Sequence, residues 1–123
     1  MDKNKEKKLK KLGLVIREKR KEKGSTVRDF AKEVGLSHVA ILHIEKGKVE
    51  AKKETLLNIA RVLEYNIDEM LAKASRLDDD IEDLIFEKSN QVPQFLRTAK
   101  NLSEKQWEQI TEQVKKMNKD NNE

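Results

Sequence analysis

Residues 26–47 read TVRDFAKEVGLSHVAILHIEKG and predict two short amphipathic helices joined by a tight turn. Apolar residues recur there at the spacing of one helix face: Phe30, Ala31, Val34, Ile41 and Ile44. Gly35 lies between the two halves, where a turn requires the positive φ that glycine adopts without a steric cost. Two short helices that pack across a glycine turn form a helix-turn-helix unit.

Local signals bound both helices. Thr26 and Ser37 precede the two apolar patterns and are good N-cap residues, because their hydroxyls accept hydrogen bonds from backbone N–H groups of the first turn. Gly35 and Gly47 follow the patterns and predict helix ends. Ala31 supplies a small side chain at the position where two crossing helices leave little room.

Three further helices are predicted around this unit. One covers 9–23 and ends at Gly24, another covers 54–63, and a short fifth helix has Asp68 as its expected cap. Together they predict an all-α domain of five helices over 9–75.

The segment 76–117 predicts a helical extension with its own apolar stripe, and 118–123 is expected to be a disordered tail. The candidate residues for a dimer surface are Phe95, Leu96, Trp107, Ile110, Val114 and Met117. The alternative is that they pack within the chain on Ile81, Leu84 and Ile85.

Charge is distributed unevenly along a chain whose net charge is +4. Residues 1–23 hold eleven Lys or Arg against four Asp or Glu, whereas residues 76–123 hold eight against eleven. The basic start suits a polyanionic partner. Residues 1–8 are predicted to be a basic arm, with a solvated, disordered start as the alternative.

Composition excludes several functions. The 123 residues contain no cysteine and two histidines, so a thiolate site, a disulfide or a His-rich metal site is not expected. Neither a Gly-rich phosphate loop nor a His-Glu-x-x-His motif occurs. We therefore expect no enzyme, no cofactor and no bound metal. The apolar runs are too short to cross a bilayer and no secretory signal is present, which favours a cytoplasmic protein.

The unit 27–46 resembles the helix-turn-helix of the Cro/cI-type phage repressors, the XRE family. The resemblance extends from Leu9 to Ser75 and includes Ile16-Arg17, Lys23-Gly24, Ile44-Glu45-Lys46-Gly47-Lys48, Glu54-Thr55-Leu56, Ile59-Ala60 and Ile67-Asp68-Glu69-Met70-Leu71. It implies a five-helix, Cro/cI-repressor-like DNA-binding domain with a C-terminal helical extension.

The resemblance also implies which residues read DNA. The third helix, 37–46, would enter the major groove, and the base-contacting positions match His38, Val39, Leu42 and His43. This chain departs from the polar residues common there, because Val39 and Leu42 meet only apolar surface such as a thymine methyl. The alternatives are packing against a neighbouring helix for Leu42 and a steric role for Val39.

Other positions are expected to bind the DNA backbone or to stabilise the fold. The predicted phosphate-binding residues are Thr26, Val27, Arg28, Ser37, Lys46, Lys48, Lys52 and Lys53. Helix N-termini and basic side chains bind phosphate without reading sequence. By the resemblance, Arg20 and Glu45 form a structural ion pair.

The expected function is sequence-specific binding of double-stranded DNA by a transcriptional repressor, acting as a homodimer on an inverted-repeat operator. The alternative is an antitoxin or interaction subunit whose C-terminal helices bind a partner protein, with DNA binding for autoregulation. A protease or a toxin is the kind of partner considered.

Overall fold

The computed structural model describes residues 2–122, which form eight helices joined by short connections and contain no strand. The helices are α1 (Lys3–Glu22), α2 (Val27–Val34), α3 (His38–Glu45), α4 (Lys53–Leu63), α5 (Ile67–Lys73), α6 (Asp79–Glu87), α7 (Gln91–Ala99) and α8 (Glu104–Asn121). The all-α prediction is confirmed, with five helices followed by a helical extension.

The helix ends follow the predicted chemistry at α2 and α3. Thr26 Oγ1 accepts from the backbone N–H of Asp29 at 3.1 Å, and Ser37 Oγ accepts from that of Ala40 at 3.1 Å. Gly35 ends α2 with φ of 85°. These caps fix the direction in which α3 leaves the turn.

The expected cap of α5 was wrong. Asn66, and not Asp68, is the N-cap, because its Oδ1 accepts from the backbone N–H of Glu69 at 2.9 Å. Asp68 lies inside the first turn, where a carboxylate interacts favourably with the helix dipole.

The chain divides into two compact units, the first ending at Asp79 and the second beginning at Asp80. The first unit has a continuous core with contributions from α1 to α5. Its buried side chains are Leu12, Ile16, Phe30, Ala31, Val34, Ile41, Ile44, Leu56, Ile59, Ala60, Met70 and Leu71. This core supports α3 from behind, since α3 packs against both α1 and α2.

A close approach of two helices at Gly13 sets the position of α3. A Cβ atom at Gly13 would lie 2.7 Å from the carbonyl carbon of Glu45 and 2.7 Å from the carbonyl oxygen of Ile44. Only glycine therefore lets α1 cross the end of α3 at this distance. The sequence pattern around Gly13 gives no sign of this contact, because Gly13 lies inside a predicted helix.

Both ends of the described chain are more helical than the sequence analysis expected. Helix α1 begins at Lys3, with the Asp2 carboxylate accepting from the backbone N–H of Asn4 at 2.9 Å, so most of the expected arm is helical. Helix α8 continues to Asn121, through most of the expected disordered tail. Lysine and glutamate favour helix, which explains the extension of α1 over residues 3–8. Met1 and Glu123 lie outside the described residues.

The second unit has little core of its own. Ala99 is its one fully buried apolar residue among those described. The rings of Phe95 and Trp107 meet edge to face with centroids 6.2 Å apart, and Ser103 and Gln106 form a capping box at the start of α8. Seven large apolar side chains stay exposed: Ile81, Leu84, Phe86, Phe95, Leu96, Val114 and Met117. No helix within residues 2–122 is both long and apolar enough to cross a membrane.

Candidate nucleic-acid interface

Helix α3 presents one face to the core and the other to solvent. Ile41 and Ile44 are buried, whereas Val39 is 47% exposed. His43 is exposed and His38 is half-buried. Val39 and His43 therefore lie on an accessible ridge of α3, and His38, at the first position of the helix, is partly covered.

Leu42 is the one predicted base-reading residue that lines a cleft between helices. It is half-buried and lines a cleft of about 270 Å³ together with Val27 of α2 and Arg17 of α1. Its side chain thus contributes to the junction of three helices at the edge of the outer face of α3. This environment agrees with the alternative for Leu42, packing against a neighbouring helix.

The structure brings Arg20 and Glu45 together as a buried, bidentate pair. Arg20 Nε donates to Glu45 Oε2 at 2.8 Å and Nη2 donates to Oε1 at 3.1 Å. The remaining Arg20 nitrogen, Nη1, donates to the carbonyl oxygen of Ser25 at 2.9 Å. One arginine therefore joins α1, the end of α3 and the segment just before α2.

Most of the predicted phosphate-binding residues are accessible. Thr26 and Ser37 accept cap hydrogen bonds through their hydroxyl oxygens, which leaves their O–H groups able to donate. Within the predicted set, the basic side chains that are exposed and make no ion pair to residues 2–122 are Arg28, Lys46, Lys48 and Lys52. Val27 is half-buried at the first position of α2. Lys46, Lys48 and Lys52 lie in the connection between α3 and α4, whereas Thr26, Val27 and Arg28 lie at the start of α2.

Lys53 differs from the other lysines because two carboxylates contact it. Its Nζ lies 3.2 Å from Asp79 Oδ1 and 3.3 Å from Asp78 Oδ1. The hydrogen bond to Asp79 is the main cause that raises the pKa of Lys53. The pKa of Asp78 is lowered, first by the backbone N–H of Asp79 and then by Lys53. A phosphate would have to compete with both carboxylates for this cation.

Sequence reasoning missed Arg17 as a candidate site residue. Arg17 is exposed on α1 and lines the same cleft as Leu42 and Lys46. Arg17 lies one helical turn before Arg20 on the same face of α1. The expected pairing of Arg20 with Glu45 was therefore a signal that Arg17 also lies near the end of α3.

These features together define a class of protein. A capped pair of helices crossing at a glycine turn, with an exposed ridge flanked by cations, is the architecture of a helix-turn-helix DNA-binding domain. Residues 16–70 match the family described as Helix-turn-helix, HTH_3. Residues 16–70 therefore carry the sequence pattern of a helix-turn-helix domain, and the five helices α1 to α5 give this part of the chain the matching fold.

Two solved structures are similar to this chain. The clp gene regulator ClgR from Corynebacterium glutamicum shares 21% identity, over 75% of this chain and 93% of that chain, with a TM-score of 0.50. A chain of the SinR protein/SinI protein complex shares 22% identity, over 88% of this chain and 98% of that chain, with a TM-score of 0.49. At this identity the first likeness supports the fold alone. The comparison with curated proteins gave no match.

Proposed function

We propose that the protein is a cytoplasmic transcriptional repressor that binds an inverted-repeat operator in double-stranded DNA as a homodimer. The observation that carries the proposal is the exposed ridge of α3, where Val39 and His43 are exposed while Ile41 and Ile44 are buried in the core. Cationic side chains flank the ridge and supply sequence-independent affinity for phosphate. The ridge residues themselves supply base contacts.

The homodimer is inferred from the second unit. Among its described residues, this unit has one buried apolar side chain and seven large exposed ones, so it gains stability when these are covered. A second copy of the chain would cover these side chains with its own identical surface, which gives a dimer with two-fold symmetry. Two copies of α3 would then reach half-sites one DNA turn apart, about 34–36 Å.

Selection from randomised duplexes tests the proposed function. The full-length chain is expected to enrich a two-fold symmetric site whose half-sites are about 10 base pairs apart. Repeating the selection at two salt concentrations gives the number of phosphates engaged from the slope of log affinity against log salt. Enrichment of a single half-site would contradict the dimer, and no enrichment would contradict sequence-specific binding.

The same exposed apolar residues support a second candidate function, an antitoxin or interaction subunit whose C-terminal helices bind another protein. Phe86, which is 84% exposed, is the most accessible large apolar side chain of the second unit. A protease or a toxin would be such a partner. Light scattering on the purified chain separates the two ideas, because a dimer mass at micromolar concentration favours self-association and a monomer mass favours a partner protein.

A further inference from the structure

A basic cleft lies where α1, α2 and the end of α3 meet. Its volume is about 270 Å³, and its lining residues are Arg17, Arg20, Val27, Leu42, Glu45 and Lys46. The cleft thus combines a residue of the predicted reading face, Leu42, with cations from two other positions. It is open to solvent at the edge of the α3 ridge.

The charges of the cleft leave an excess of two positive groups. Arg20 and Glu45 are 7% and 6% exposed and neutralise each other through their paired hydrogen bonds. Arg17 and Lys46 are exposed, and neither makes an ion pair or a side-chain hydrogen bond within residues 2–122. Two cations beside a neutralised ion pair attract an anion more strongly than one solvated lysine does.

The position of the cleft indicates which anion it takes. Val27 is the first residue of α2, so the cleft borders a helix N-terminus as well as the two cations. Leu42 faces the cleft from the helix that carries the base-reading residues. When α3 lies in a major groove, the anion available beside its C-terminal half is a phosphate of the groove wall.

We propose that Arg17 is a DNA phosphate-binding residue and that it holds one backbone phosphate together with Lys46. The proposal rests on the proposed function, since it assumes that α3 enters the major groove. Arg17 binds from α1, and Lys46 binds from the C-cap of α3. The Arg20–Glu45 pair keeps the backbone at Arg17 and the backbone at Lys46 close together, because it joins α1 to the end of α3. Helix α1 is therefore part of the interface and not only of its support.

The test compares the full-length double variant Arg17→Gln/Lys46→Gln with the matched control Arg61→Gln/Lys100→Gln. The control removes two exposed positive charges that do not line the cleft. Losing one phosphate contact lowers the salt slope of binding by about 0.9. The ratio of wild-type to cleft-variant affinity is then expected to shrink about 3.5-fold between 50 and 200 mM salt. The loss should be equal on the selected operator and on a scrambled duplex, since phosphate contacts carry no sequence information.

The outcomes separate this inference from the proposed function. A cleft variant whose salt slope equals that of the control variant, while the wild type still prefers its operator, overturns the phosphate site alone. Loss of operator preference without a change in slope also overturns it, since that result indicates base contact. A wild type with no operator preference contradicts the proposed function. Unchanged thermal melting of the cleft variant is expected, because both replaced side chains are exposed.

Discussion

The Arg20 guanidinium donates two hydrogen bonds to the Glu45 carboxylate, at 2.8 and 3.1 Å, and both residues are more than nine-tenths buried. Both Glu45 oxygens accept from this one arginine, and the third Arg20 donor is satisfied by the carbonyl oxygen of Ser25. The pair therefore fixes the end of the α3 ridge relative to α1 and to the start of α2. Any change in this pair should alter folding and DNA binding together.

Glu45→Ala is expected to lower the free energy of unfolding by about 3–5 kcal/mol, because it leaves the Arg20 charge buried without its partner. Chemical denaturation measures the loss, and operator affinity should fall in parallel. Glu33→Ala is the matched control, because Glu33 forms an exposed pair with Lys23 at 3.2 Å. That change should cost at most about 1 kcal/mol. Wild-type stability in Glu45→Ala would contradict the structural role of the pair.

Gly13→Ala is expected to destabilise the protein, although alanine ordinarily stabilises a helix by about 1 kcal/mol relative to glycine. The added Cβ would lie 2.7 Å from the Glu45 carbonyl carbon, so α1 and α3 would have to separate. Overpacking of this kind costs about 1–3 kcal/mol. Thermal melting measures the sign of the effect. A higher melting temperature would show that the two helices can move apart without cost.

Tyr65 gives a spectroscopic prediction, because it is the only tyrosine in the chain. Burial, followed by the hydrogen bond from its hydroxyl to Glu69 Oε1 at 2.8 Å, raises the pKa of Tyr65 to about 12. Titration of tyrosinate absorbance should show this midpoint in the wild type. Glu69→Gln should lower it towards 10, since the neighbouring negative charge is removed. A midpoint near 10 in the wild type would contradict both the burial of the Tyr65 hydroxyl and its hydrogen bond to Glu69.

The same shift has a consequence for stability, because a raised pKa means that the folded state favours the protonated phenol. The contribution is fully present below pH 10, the ordinary value for tyrosine, and is lost as the pH rises through about 12. Urea unfolding midpoints should therefore fall across this window. Tyr65→Phe should show a weaker pH dependence there.

The helix-turn-helix unit was predictable because its signals are local. The caps at Thr26 and Ser37 and the turn at Gly35 depend on residues within one or two helical turns of each other. The roles of Gly13 and Arg17 were not predictable in this way, because each follows from a crossing of α1 with α3 about 30 positions later. The sequence pattern therefore predicts which helices form, but it does not predict how closely two helices approach each other.

The environment of Lys53 shows the same limit for the candidate site. Its place after α3 suggested a phosphate contact. Its ammonium group instead forms ion pairs with Asp78 and Asp79, which are more than 20 residues away in the chain. Composition showed the acidic cluster without showing which cation it contacts. Charge counts therefore identify candidate residues, and the fold decides which of them a ligand can reach.

The contact of Lys53 with Asp78 and Asp79 leads to the last prediction, in which Asp78→Asn/Asp79→Asn increases DNA affinity. Removing both carboxylates leaves Lys53 available to a phosphate, so the salt slope should steepen by about 0.9. Filter binding on a fixed operator at several salt concentrations measures the slope. The same double change in a Lys53→Gln background is the control and should leave the slope unaltered. An equal rise in affinity in both backgrounds would indicate general relief of charge repulsion and would contradict a specific role for Lys53.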